Sequence, residues 1–175
     1  ITTEICYNGI DDNGDGMVDS EDPLCQIIRV STTADVLDGD VRSVLRLKND
    51  PAADGLISLR EAIAATQSTS SRNEFHTIGF DLKNYDQGHF YYQDDGLVNQ
   101  VTDANKVRTT AIDDSTIDDK DEDFPRSWFQ FSINSPLPVL SDNVLIDGYD
   151  LRRTQPNTEE FGTTLNTAIR VEITT

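Results

Sequence analysis

Basic residues, histidine and cysteine are scarce in this chain. Its 175 residues hold 14 lysines and arginines against 32 aspartates and glutamates, with two histidines, two cysteines, one methionine and one tryptophan. The formal net charge is −18. The shortage of positive charge excludes a nucleic-acid partner, because phosphate binding needs a basic face that releases counterions; anionic membranes are disfavoured on the same ground. No run of 18 apolar residues occurs, so no membrane span is expected. Neither G-x-S-x-G nor H-E-x-x-H is present, and His76 and His89 sit in unrelated contexts, so the chain reads as a non-enzyme. It opens at Ile1 without a signal peptide, as expected of a mature product or a part cut from something longer. At 36% hydrophobic it is apolar and patterned enough to fold. A chain of this length buries about 70% of its unfolded surface, so one domain, or one domain with an appendage, is expected.

The negative charge is concentrated in two segments. Residues 1–25 carry seven acids and no base, and residues 84–123 carry eleven acids and three bases. The rest is close to neutral. Cys6 and Cys25 bracket the first acidic segment with eighteen residues between them. In an oxidising compartment their pairing closes a loop worth about 3 kcal/mol on the chain-entropy model; the alternative is a pair of free thiols.

Between the cysteines, Asp11 to Asp22 fits D-x-N-x-D-G-x-x-D-x-x-D. Oxygen side chains fall at positions 1, 3, 5, 9 and 12 of a twelve-residue loop (Asp11, Asn13, Asp15, Asp19, Asp22), Gly16 stands at the sharp turn, and Met17 offers its carbonyl at position 7. Crowded carboxylates repel one another and a dication removes the conflict. All-oxygen ligation points to calcium and away from zinc. Asp22, where a glutamate usually completes the loop, shortens the reach and moves affinity toward the extracellular range of about 10⁻⁴–10⁻³ M. No long amphipathic helix flanks the loop, so the site reads as structural rather than as a sensor.

Glu4-x-Cys6-x-Asn8-Gly9-Ile10-Asp11-Asp12-Asn13-Gly14-Asp15-Gly16, followed by Asp19, Asp22-Pro23 and Cys25, resembles the cysteine-flanked calcium motif of large secreted bacterial proteins and is similar to thrombospondin type 3 repeats. In the near-neutral body, Ser58 and Glu61 form an S-x-x-E capping box, which predicts one short helix over about 58–66. Short strands are expected at 27–30, 76–80, 128–133, 144–148 and 168–173. With few helices between them, a sandwich or a parallel β-helix is the reading. Thr33-Ala34-Asp35, Asp54-Gly55, Ser58-Leu59-Arg60-Glu61-Ala62-Ile63 and Thr77-Ile78-Gly79-Phe80 resemble the S-L-R-E-A domain that opens right-handed parallel β-helices in bacterial surface proteins. Ser135-Pro136-Leu137-Pro138, Ile146-Asp147-Gly148 and Thr154-Gln155-Pro156 are similar to further elements of the same families.

The resemblance implies a mainly β fold: the start of a right-handed parallel β-helix with a short α-helical N-terminal cap and a calcium-binding loop. A disulfide-closed loop is expected at 1–26, and the cap and first coils at 27–175, with an acidic insertion at about 83–127. The implied role is a non-catalytic, calcium-stabilised structural or adhesive module, secreted or on the cell surface. Its expected partners are further coils of a longer chain or a neighbouring subunit, and a cell-surface glycan or protein. The alternatives are a carbohydrate-active β-helix enzyme, with Asp147, Asp150, Arg152 and Arg153 as its cluster, and a carbohydrate-binding module.

Eight of the thirteen aromatics fall in 85–131, which sets the insertion apart from a disordered acidic tail. Tyr91, Tyr92 and Trp128 are the candidate binding residues; the other reading is that such rings anchor the insertion to its own scaffold. Asp118–Asp123 and the Asp35, Asp38, Asp40 group are weaker metal candidates, lacking loop spacing and the glycine.

Overall fold

The computed structural model describes residues 9–18, 22–68, 75–140, 142–159 and 167–175. These divide into two compact units, one formed by 1–31, 36–81 and 136–147, the other by 32–35, 82–135 and 148–175. No helix among the described residues is long and apolar enough to cross a membrane.

The first unit is built on three short parallel strands, β1 (Ile27–Val30), β2 (His76–Phe80) and β6 (Val144–Ile146), in the order β1-β2-β6. Ile27 pairs with Thr77, and Thr77 in turn with Leu145. The two-residue period of a strand sends Ile28 and Val30 inward and Arg29 out. β2 lies in the middle, and Ile78 and Phe80 are buried with them. A four-residue helical turn, α1 (Pro23–Gln26), precedes β1. Against the strands packs α3 (Leu59–Thr66), whose Leu59, Ala62, Ile63 and Ala65 are buried; each large side chain placed there contributes about 1.5–3 kcal/mol.

The start of α3 is fixed by the expected capping box. The Ser58 hydroxyl accepts from the Glu61 amide at 3.1 Å, and Glu61 Oε2 accepts from the Ser58 amide at 2.9 Å. Glu61 is wholly buried, and its other oxygen accepts from the amides of Asp38 and Gly39 at 2.8 and 2.7 Å. One side chain thus caps the helix and fastens the 36–40 loop. A further helix, α2 (Val44–Asn49), is capped by Ser43 and seated on α3 through Val44 and Leu47.

The second unit is a four-stranded sheet in the order β4-β3-β5-β7, formed by β3 (His89–Tyr92), β4 (Lys106–Arg108), β5 (Trp128–Ser132) and β7 (Val171–Thr174). β3 runs antiparallel to both β4 and β5, whereas β5 and β7 are parallel. Leu82, Ile117, Phe129, Phe131, Ile133 and Leu151 are buried here, and His89 stacks on Phe129 at 4.4 Å. Asp86 fastens the 32–35 segment by accepting from the Thr33 amide and hydroxyl.

The expected opening of a right-handed parallel β-helix is corrected by this arrangement. The described residues form a mixed α/β structure with two separate sheets and no closed coil. A solenoid needs every strand to run the same way as the chain winds, and the antiparallel pairing of β3 with β4 and β5 breaks that rule. Residues 83–127 are the cause: they contribute a hairpin that pairs with β5 and makes it part of a mixed sheet.

Candidate metal centre

Residues 11–17 curl around Asp11. Its Oδ1 accepts from the amides of Gly14 (2.6 Å) and Asp15 (3.2 Å), and its Oδ2 from Gly16 (2.8 Å). Asn13 Oδ1 accepts from the Asp15 amide and Asp15 Oδ1 from Met17, each at 2.9 Å. The turn is possible because Gly14 and Gly16 take φ of +79° and +94°, where a side chain would be strained. A carboxylate oxygen has two lone pairs, so an oxygen that accepts one amide can still face a cation.

Asp22, at the twelfth position, is fully buried. Its Oδ2 accepts from Asn13 Nδ2 at 2.6 Å, which ties the end of the loop to its third position. Its carbonyl accepts from the Cys25 amide at 2.9 Å and so opens α1. Lys48 lies nearby: its Nζ donates to the Cys25 carbonyl at 3.3 Å. Burial pushes the Lys48 ammonium below its ordinary range, and the Asp22 carboxylate opposes that shift. A buried carboxylate, oxygen donors alone and a glycine-dependent turn together fit a hard dication such as calcium.

Of the expected ligands, Asp11, Asn13, Asp15 and Met17 share this one turn and Asp22 is bonded to it; Asp19 lies outside the described residues. Cys25 is buried and no cysteine among the described residues is free. Cys6, its expected partner, also lies outside them.

The candidate binding aromatics meet on the second sheet. The Tyr92 ring stacks on Trp128 at 4.5 Å, and Phe124 stands edge-on to both. The Trp128 indole is 4% exposed and its Nε1 donates to Glu172 at 2.9 Å. Tyr91 is buried, and its hydroxyl donates to Asp119 at 3.0 Å. Only Tyr92 of the three is half-exposed, beside a cleft lined also by Val101, Phe124 and Ile169.

Asp35 accepts from the Asn134 amide in the second unit, while Asp40 pairs with Arg42 and Arg46 in the first. Asp147 falls in the first unit, and Asp150, Arg152 and Arg153 in the second. His89 is buried with Nδ1 at 2.8 Å from the Asn84 carbonyl, and burial lowers its pKa. His76 is buried within β2.

One grouping is absent from the linear reading. Asp94 and Asp95 meet Asp121, from the acidic run, across a chain crossing that the isolated bridge between Gln93 and Lys120 creates. The only signal available in the sequence was two aspartate-rich stretches, Asp94-Asp95 and Asp118–Asp123. Compared with family models, curated proteins and solved structures, the chain matches none.

Proposed function

We propose that this chain is a calcium-stabilised, non-catalytic structural or adhesive module of a large secreted or cell-surface bacterial protein. The observation that supports it best is the 11–17 turn wrapped on Asp11 and tied through Asn13 to the buried Asp22. Such a turn gathers the Asp11, Asp15 and Asp22 carboxylates where a hard cation would relieve their mutual repulsion, and weak calcium loops suit the millimolar calcium outside cells. The likeness of residues 4–25 to cysteine-flanked calcium motifs of secreted proteins points the same way, as does a Cys6–Cys25 bridge in an oxidising compartment. Both histidines are buried in the sheets, which favours a structural role over acid–base work.

Thermal melting of the oxidised protein in 10 mM calcium and in chelator tests the reading. With a dissociation constant of about 10⁻⁴–10⁻³ M the melting temperature rises by about 3–10 °C. The Asp11→Asn/Asp15→Asn variant loses the part of this rise that belongs to the loop. A wild-type protein whose melting is indifferent to calcium would overturn the proposal. Release of product from acidic polysaccharides by the purified protein would overturn its non-catalytic part.

A further inference from the structure

In the second unit the chain brings two distant segments side by side. The Asp121 amide donates to the Tyr92 carbonyl at 2.9 Å, and the Asp94 amide to the Asp119 carbonyl at 2.8 Å. This antiparallel crossing sets Asp94 and Asp95 against Asp121, with one carboxylate oxygen of each within 4.8 Å of the others. In every case Oδ1 is engaged by the backbone two residues on: Gly96 for Asp94, Leu97 for Asp95 and Asp123 for Asp121, each at 2.8 Å.

Asp121 distinguishes this cluster from an ordinary acidic surface. It is 1% exposed, and its Oδ2 is buried without a hydrogen-bond partner. A buried carboxylate oxygen in that state is costly unless something cationic meets it. The neighbouring base does not: Lys120 Nζ donates to the Ile117 carbonyl at 3.0 Å. Two further carboxylates beside Asp121 only add to the repulsion.

We propose that Asp94, Asp95 and Asp121 are ligands of a second divalent-cation site, for calcium. Only oxygen is on offer, which selects a hard ion. Separations within 4.8 Å are spanned by a calcium ion with oxygens at about 2.3–2.6 Å, and calcium accepts an irregular oxygen cage where magnesium demands a near-ideal octahedron. The ion would clamp the 93–95 segment to the 119–123 segment, as the Asp11 loop clamps its own turn in the other unit.

The test is calcium titration of the full chain by calorimetry, with the emission of Trp128, the single tryptophan, followed in parallel. Trp128 stacks on Tyr92, whose carbonyl holds the Asp121 amide, so its emission reports on this site. In Asp11→Asn/Asp15→Asn one equivalent of calcium still binds and the emission response is kept. In Asp121→Asn that equivalent and that response are lost, and the chelated variant melts at or above chelated wild type, because a buried charge has been removed. Asp94→Asn/Asp95→Asn, which alters exposed and half-buried positions, loses the same equivalent and guards against a folding defect in Asp121→Asn. Unchanged stoichiometry and emission response in both variants would overturn the proposal. A wild type that binds one equivalent, lost only with Asp94 and Asp95, keeps this site and removes the loop; loss only with Asp11 and Asp15 does the reverse.

Discussion

Asp114 is gripped from two sides in the second unit. Its carboxylate accepts from Arg170 Nη2 at 2.5 Å and from the Ser127 hydroxyl and amide at 2.8 and 3.1 Å. Burial alone pushes the carboxyl up, but the guanidinium and the serine bonds outweigh it and bring the pKa down to about 2. In the unfolded chain the group titrates at about 3.9, so the stability it contributes is complete above pH 4 and fades as pH falls toward 2. The shift corresponds to about 2 kcal/mol. Urea unfolding of wild type and Asp114→Asn is expected to differ by about that amount at pH 6 and to converge only below about pH 2; a gap independent of pH would contradict the assignment. Gly88 is a second sensitive residue, for steric reasons. A Cβ there would stand 2.5 Å from the Gln130 carbonyl oxygen and closer still to the Thr33 hydroxyl. Gly88→Ala therefore forces backbone to move, with an expected loss of about 1–3 kcal/mol in chemical denaturation.

Among the elements, α3 depends most on a single side chain. Ser58→Ala removes the cap bond and the bond its hydroxyl donates to the Val36 carbonyl, and is expected to cost about 1–2 kcal/mol. Glu61→Ala strands three amides, those of Asp38, Gly39 and Ser58, and is expected to cost about 3 kcal/mol or more. Equal losses for the two variants in denaturant melts would show that Glu61 acts only as a cap. This helix was legible because its signals are local: a serine, a glutamate three residues on, and apolar residues at helical spacing. β2, β5, β6 and β7 were legible from alternation, and β1 as a short buried run. α2 was not, since six residues with two buried positions leave no periodic stretch to read. The β3–β4 hairpin was hidden by the aspartates around it, and pairing direction, which decided against a β-helix, is not written in any short motif. The same division holds for the sites. The Asp11 turn could be read because its bonds span two to five residues, whereas the Asp94, Asp95 and Asp121 grouping exists only through the fold.

For the molecule as a whole, the charge of −18 is a destabilising load that bound cations lessen. The two proposed calcium sites, if filled, would offset four of those charges. Raising sodium chloride from about 0.01 to 0.15 M shortens the screening length from about 30 to 8 Å. Chelated protein is expected to gain melting temperature over that range, and calcium-loaded protein to gain distinctly less. Equal salt slopes by scanning calorimetry would mean that the relieved repulsion lies elsewhere.

The parallel sheet of the first unit also governs how the chain reaches its native state. Because Ile27 waits for Thr77, and Thr77 for Leu145, almost nothing in that sheet can be closed by neighbouring residues. Long loops must be drawn in before any strand is rewarded, which places refolding on the slow, millisecond-to-second side of the scale for domains of this kind. During synthesis the sheet stays incomplete until β6 has emerged, so β1 and β2 wait for it with their core unclosed. The two acidic segments, dense in like charge, would keep that open chain soluble until the last strand arrives.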